Sequence, residues 1–218
     1  MDVPTMRNAL TRIRTAMDDW QTPLVDAMAA SGDDPYRILI ATLLSLRTRD
    51  EITALVSDAL FARAATPHAI LALPVEELRE IIRPVGFYNN KTDSIREVSR
   101  LLLEQHEGRV PDELDELLRL PGVGRKTANL VVTAGYGKPG ICVDTHVHRI
   151  SNRFGFVETK NPDKTEMALR EKLPPDLWME INMLLVSLGQ TICHPTSPKC
   201  SICPVNDLCE RVGVTRSR

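Results

Sequence analysis

Four of the five cysteines, Cys193, Cys200, Cys203 and Cys209, fall in one stretch with the spacing C-x6-C-x2-C-x5-C. A crowded set of thiols in a reducing compartment more often holds a metal than forms disulfides. Four thiolates suit either zinc or an iron–sulfur cluster. Zinc sites usually show two short cysteine pairs with a longer loop between them. Here one short pair is flanked by two medium gaps, which fits ligands wrapped around a bulkier cube better; zinc and free thiols remain alternatives. Such a cluster would be saturated by its cysteines and would leave no open position for a substrate, so it reads as a staple. Cys142 stands alone and reads as a buried apolar thiol.

A second chemical feature is Leu120-Pro-Gly-Val-Gly-Arg-Lys126. Pro121 and Gly122 end one helix, and a second begins at about Gly124. The free N–H groups of that second helix can hold a phosphate with almost no side-chain help, a sequence-independent grip on a nucleic-acid backbone. The alternative is a tight helix–helix connector. Lys126 lies in the first turn, where the positive helix end and partial burial both favour the neutral amine, a nucleophile towards electrophilic carbon. The plainer reading is a solvated lysine beside a phosphate.

The third feature is Val143-Asp-Thr-His-Val-His-Arg149. Asp144 is a natural N-cap, and a capping carboxylate is held rigidly and kept ionised. Such a group can stabilise a developing cation or orient a nucleophile, or it can be a cap and nothing more. His146 reads as a support behind this carboxylate, and His148 as a surface residue.

The elements that position these residues read as helices almost throughout. Asp34 and Pro35 start a helix whose run over 36–46 is apolar nearly all round, so it should be central and buried. Asp50 can cap a helix over 51–63, and Thr66-Pro67 begins a short one. Val75–Ile82 is stopped by Pro84 and Gly86. Asn89 or Asn90 caps a longer helix with Ile95, Val98 and Leu102 on one face. Asp112 begins a short acidic helix ending near Leu120. Further helices are expected over 125–134, 144–154 and 162–173, and a stripe from Leu177 to Leu188 leads to Cys193. No alternating strand pattern, repeat or low-complexity segment occurs, so the fold class is all-α; the tail after Cys209 is expected to fray.

Composition narrows the functions. Of 218 residues, 43% are hydrophobic and 26% charged, which excludes a wholly disordered or fibrous chain. The net charge of -2 means that a polyanion partner would need a local basic face. Aromatics at 4% argue against rows of stacked bases. No segment reaches the roughly 20 apolar residues of a membrane span, and the first ten residues lack the apolar run of a signal peptide, so a cytoplasmic location is expected, nucleoid-associated in a bacterium or archaeon.

Together, the hairpin with Lys126, the Val-Asp-Thr-His segment and the cysteine loop resemble the endonuclease III family of helix-hairpin-helix DNA glycosylase/AP lyases, over nearly the whole chain from about Pro35 to Cys209. The resemblance implies two helical lobes with a DNA cleft between them. One is a six-helix barrel over 29–134 carrying the hairpin. The other is a discontinuous lobe of 1–28 and 135–218 holding a [4Fe–4S] cluster on Cys193, Cys200, Cys203 and Cys209. It implies a monomer acting on double-stranded DNA with damaged bases or abasic sites. The damaged pyrimidine is flipped out, the Lys126 amine displaces it from the sugar, Asp144 assists, and the Schiff base leads to strand nicking by β-elimination. Gly122, Gly124 and Arg125 would meet the backbone.

Departures from the family pattern are informative. Arg47 stands where many bacterial relatives carry Gln, at the residue that enters the gap left by the flipped base, and is expected to alter opposite-base preference. Phe87 stands where an aliphatic residue is common in the wedge loop, and can push between bases or serve as a core aromatic. Between Cys193 and Cys200 only Lys199 is reliably basic, which predicts a shallow salt dependence. The leading expectation is a bifunctional glycosylase/lyase for oxidised pyrimidines. The alternatives are a thymine or uracil mismatch glycosylase on the same scaffold, a non-catalytic redox-sensing DNA-binding protein, and a zinc-stapled module.

Overall fold

The computed structural model describes residues 1–17, 20 and 22–218. Helices and turns make up the described residues, with no strand among them. The chain divides into two compact units, Leu24–Lys138 and a discontinuous unit of Met1–Pro23 with Pro139–Arg218. Among the described residues no helix is long and apolar enough to cross a membrane.

The first unit is built around α3 (Pro35–Ser45). Its sequence is apolar on every side, and Ile38, Leu39, Ile40, Ala41 and Leu44 are fully buried. Asp34 caps it, its carboxylate accepting from the Tyr36 and Arg37 amides. Around it pack α2 (Leu24–Ala30), α4 (Asp50–Arg63), α7 (Tyr88–Gln105) and α9 (Arg125–Leu130). α5 (Pro67–Ala72) and α6 (Val75–Ile82) lie against α7, and α8 (Leu114–Leu117) precedes the hairpin. Ile95, Val98 and Leu102 form the buried face of α7, as their spacing requires.

The start of three helices departs from the sequence reading. Asp50 is the first residue of α4 rather than its cap; Arg49 occupies the N-cap without a side-chain bond, and Asp50 and Glu51 instead sit in the first turn, where the helix dipole favours acids. α7 starts at Tyr88 behind a left-handed Phe87, so neither Asn89 nor Asn90 caps it. α8 begins after Asp112, because the Asp112 and Glu113 carboxylates pair with Lys138 Nζ at 2.9 and 2.7 Å. The helix expected over 125–134 changes at Val131 to a π turn, Val131–Gly135, with Thr133 Oγ1 donating to Asn129 O and Leu130 O. Such turns interrupt helices most often near functional sites.

The second unit joins α1 (Val3–Ala16) to α10 (Thr145–Arg153), α11 (Pro162–Lys172) and α12 (Trp178–Thr191). Leu10, Ile13, Val147, Ile150, Leu169, Ile181, Leu184 and Leu188 form its core. Arg12 pairs with both oxygens of Asp207, linking α1 to the cysteine segment. The residues after Cys209 do not fray. Val212 N donates to Arg153 O, and Arg218 brackets the loop, its N donating to Pro198 O at 2.8 Å while its carbonyl accepts from Ser201 N at 3.0 Å. Backbone pairing with a cysteine-rich loop overrides the polar composition of that tail.

Candidate functional site

In the Leu24–Lys138 unit, the segment 120–126 folds as a tight hairpin. Leu120 and Val123 are buried anchors, and Val123 N donates to Leu120 O. Gly122 has φ 77, the left-handed region that favours glycine, while a Cβ there would meet Ser94 and Leu43 only at ordinary contact distance. Gly124 is the N-cap of α9, is exposed, and has open space where a side chain would begin. Thr127, Ala128, Asn129 and Leu130 are buried. That leaves Arg125 and Lys126, both half-buried, at the outer start of the helix, beside its electropositive end.

In the same unit Arg47 and Phe87 occupy neighbouring turns. The Arg47 guanidinium lies over the Phe87 ring, 5.2 Å from its centroid, and both residues are left-handed, with φ 55 and 60. Phe87 is 58% exposed, which rules out the core-aromatic reading. Beneath them lies a lysine that sequence reasoning passed over. Lys91 is 8% exposed, and its ammonium donates to Leu44 O and Leu46 O, each at 2.7 Å. Burial pulls its pKa down to about 8. A signal existed: Lys91 continues the Ile95, Val98 and Leu102 stripe by one turn, so it falls on the buried face.

In the second unit, Asp144 caps α10. Its Oδ1 accepts from His146 N at 2.8 Å and Val147 N at 2.9 Å. Both bonds use one oxygen, so the cap commits half of the carboxylate. The approach to the cap is pinned by Asn182, whose side-chain amide donates to Cys142 O, and Cys142 is buried. His148 is half-buried rather than on the surface, since its Nδ1 pairs with Thr165 Oγ1 at 2.7 Å.

His146 Nδ1 lies 3.0 Å from Arg149 Nη2, and the Arg149 guanidinium donates to Cys193 O. One turn on, Arg153 Nη1 donates to Cys193 Sγ at 3.3 Å and to His194 O at 2.7 Å. The helix capped by Asp144 thus grips the first cysteine of the loop through two arginines. Both arginines escaped the sequence reading, although their i, i+4 spacing places them on one face.

Cys193, Cys200, Cys203 and Cys209 line a single pocket with Arg153, Phe154, Leu188 and Ile192. Burial pushes the Cys203 thiol up to about 11 and the Cys209 thiol in the same direction, so thiolates there require a cationic centre to balance them. Among the described residues no group of His, Cys, Asp and Glu is arranged to hold a single metal ion. Four soft sulfurs around one space, with a guanidinium and the Arg211 amide directed at sulfur, fit an iron–sulfur cluster. Lys199, half-buried, lies in the loop between the first two cysteines.

Comparison with known proteins places this architecture in a class. Residues 40–175 match the HhH-GPD superfamily of base excision DNA repair proteins, and residues 193–209 match the iron-sulfur binding domain of endonuclease III. Endonuclease III of Thermotoga maritima is 51% identical, over 81% of this chain and 83% of that one. A structure of a trapped endonuclease III–DNA covalent intermediate, in an estranged-adenine complex, superimposes with a TM-score of 0.86 at 35% identity, covering 97% of each chain. A thermostable thymine-DNA glycosylase gives a TM-score of 0.81 at 27% identity, over 95% of this chain and 96% of that one. The chain belongs to the endonuclease III family within this superfamily. It is a DNA-binding glycosylase/AP lyase of base excision repair and carries a [4Fe–4S] cluster.

Proposed function

We propose that the protein excises oxidised pyrimidines from duplex DNA as a cytoplasmic monomer, with Lys126 as nucleophile and Asp144 as the carboxylate that assists it. The observation that carries this reading is an amine at the second residue of α9, two positions after a glycine N-cap that has open space where a side chain would begin. The hairpin amides, with Gly122, Gly124 and Arg125, hold the backbone phosphate. The Lys126 amine forms a bond to the anomeric carbon as the bond from that carbon to the base breaks, and the base leaves with the electron pair. Asp144, held in place by its cap bonds, either accepts the proton shed by the amine or stabilises positive charge on the sugar. Opening of the sugar ring gives the Schiff base. Its positive charge acidifies the adjacent carbon, whose proton is removed as the 3′ carbon–oxygen bond breaks.

Cys193, Cys200, Cys203 and Cys209 hold the cluster in this reading. The cluster supplies cross-linking of the loop that carries Lys199, and no chemical step passes through it. Arg47 and Phe87 enter the duplex where the damaged nucleotide has left. Borohydride trapping on a thymine glycol duplex tests the core of the reading. A covalent adduct is expected with the wild type and is lost in Lys126→Ala, which still binds DNA. An adduct on G·T or G·U mismatches with none on thymine glycol moves the substrate to mismatched bases. Absence of an adduct on all of them, with binding intact, refutes amine catalysis.

A further inference from the structure

Arg47 and Phe87 hold a backbone conformation that a Cβ disfavours, so both turns have to be held by their surroundings. A single ammonium supplies much of that hold. Lys91 Nζ donates to Leu44 O and Leu46 O, which end α3 just before Arg47, and to Thr48 Oγ1 at 3.2 Å, just after it. Thr48 Oγ1 also accepts from Gly86 N at 3.1 Å, one residue before Phe87. The hydrogen bonds therefore bracket Arg47 and continue into the turn of Phe87. The two turns press directly together, since a Cβ on Gly86 would come within 2.9 Å of Arg47 O.

An ammonium used only to finish α3 could do so from the surface, where water solvates it. Lys91 is buried, and these three partners are neutral oxygens, so its desolvation is offset by what it holds in place. Its side chain also lines, with Arg47, Phe87, Asn90 and Gly122, an open pocket of about 430 Å³. We infer that Lys91 is the positioning residue of the wedge: through Leu44 O, Leu46 O and Thr48 Oγ1 it presets Arg47 and Phe87 to fill the space that a displaced nucleotide leaves in the duplex. This rests on the reading above that those two residues enter DNA.

The test compares two substrates. Excision from a thymine glycol duplex needs the wedge. Borohydride trapping on an abasic site in single-stranded DNA needs the Lys126 amine and no wedge. Lys91→Met is expected to lower the duplex reaction roughly tenfold more than the single-strand reaction. Thr48→Val, which removes the shared hydroxyl from a less buried position, should show the same selectivity at about threefold and decides the matter if Lys91→Met does not fold. Equal losses on both substrates, or no loss on the duplex, overturn the inference. Arg47→Ala combined with Phe87→Ala separates the two levels. If this double variant shows the selective loss and the Lys91 and Thr48 variants do not, Lys91 has no positioning role. If the double variant shows none, the wedge reading itself fails and takes the inference with it.

Discussion

Asp144 can be a cap, a catalytic carboxylate or both, and two substitutions separate these roles. Asp144→Ala removes the acceptor for the His146 and Val147 amides and the charge at the start of α10. Loss of the cap costs about 1 kcal/mol. Loss of a charge favoured by the helix dipole adds roughly 0.5 kcal/mol. The sum of about 1.5 kcal/mol corresponds to a fall in Tm of roughly 3–6 °C for a chain of this size. Asp144→Asn keeps a capping oxygen and loses only the charge, so its Tm should fall by about 1–2 °C. A carboxylate acting on developing charge predicts a different pattern for the chemistry. Both variants should lose on the order of 100-fold in single-turnover excision, about 2.7 kcal/mol of barrier, because both lack the negative charge. The assays are thermal melting of the cluster-loaded protein and single-turnover excision with enzyme in excess over a thymine glycol duplex. An Asn variant within about threefold of the wild-type rate, beside a slow Ala variant, would falsify the catalytic role and leave Asp144 as a cap.

Three further outcomes are expected. Gly189→Ala would bring a Cβ to 2.3 Å from His146 Nδ1 and 2.9 Å from Arg149 Nη2. The overpacking should cost about 1–3 kcal/mol and displace the guanidinium from Cys193 O, seen as a lower Tm and faster bleaching of the cluster absorption; unchanged bleaching would detach Arg149 from cluster retention. Arg47→Gln should change the ratio of excision opposite A to excision opposite G, since a shorter neutral amide offers fewer donors to the orphaned base; an unchanged ratio sinks that role. Lys199→Ala should reduce the slope of log affinity against log salt by about one, and an unaffected slope removes Lys199 from the DNA interface.

Local chemistry was legible in the chain itself. The capping of α10 by Asp144, the break at Pro121-Gly122, the burial of α3 and the grouping of four cysteines each depend on residues a few positions apart, within reach of helix periodicity and turn stereochemistry. At three places where the reading slipped, a distant partner had intervened. Asp112 and Glu113 were drawn to Lys138, α7 began behind a left-handed Phe87 whose neighbour Gly86 is set against Thr48 and Arg47, and the tail found the cysteine loop. Only the tertiary structure decided which cations are buried and what they hold: Lys91 on the carbonyls of Leu44 and Leu46, Arg149 and Arg153 on Cys193. These contacts join residues more than three dozen positions apart. A lysine or arginine in sequence carries no mark of its partner, because the cost of desolvating it is met by oxygens and sulfurs that arrive with other elements only when the chain packs.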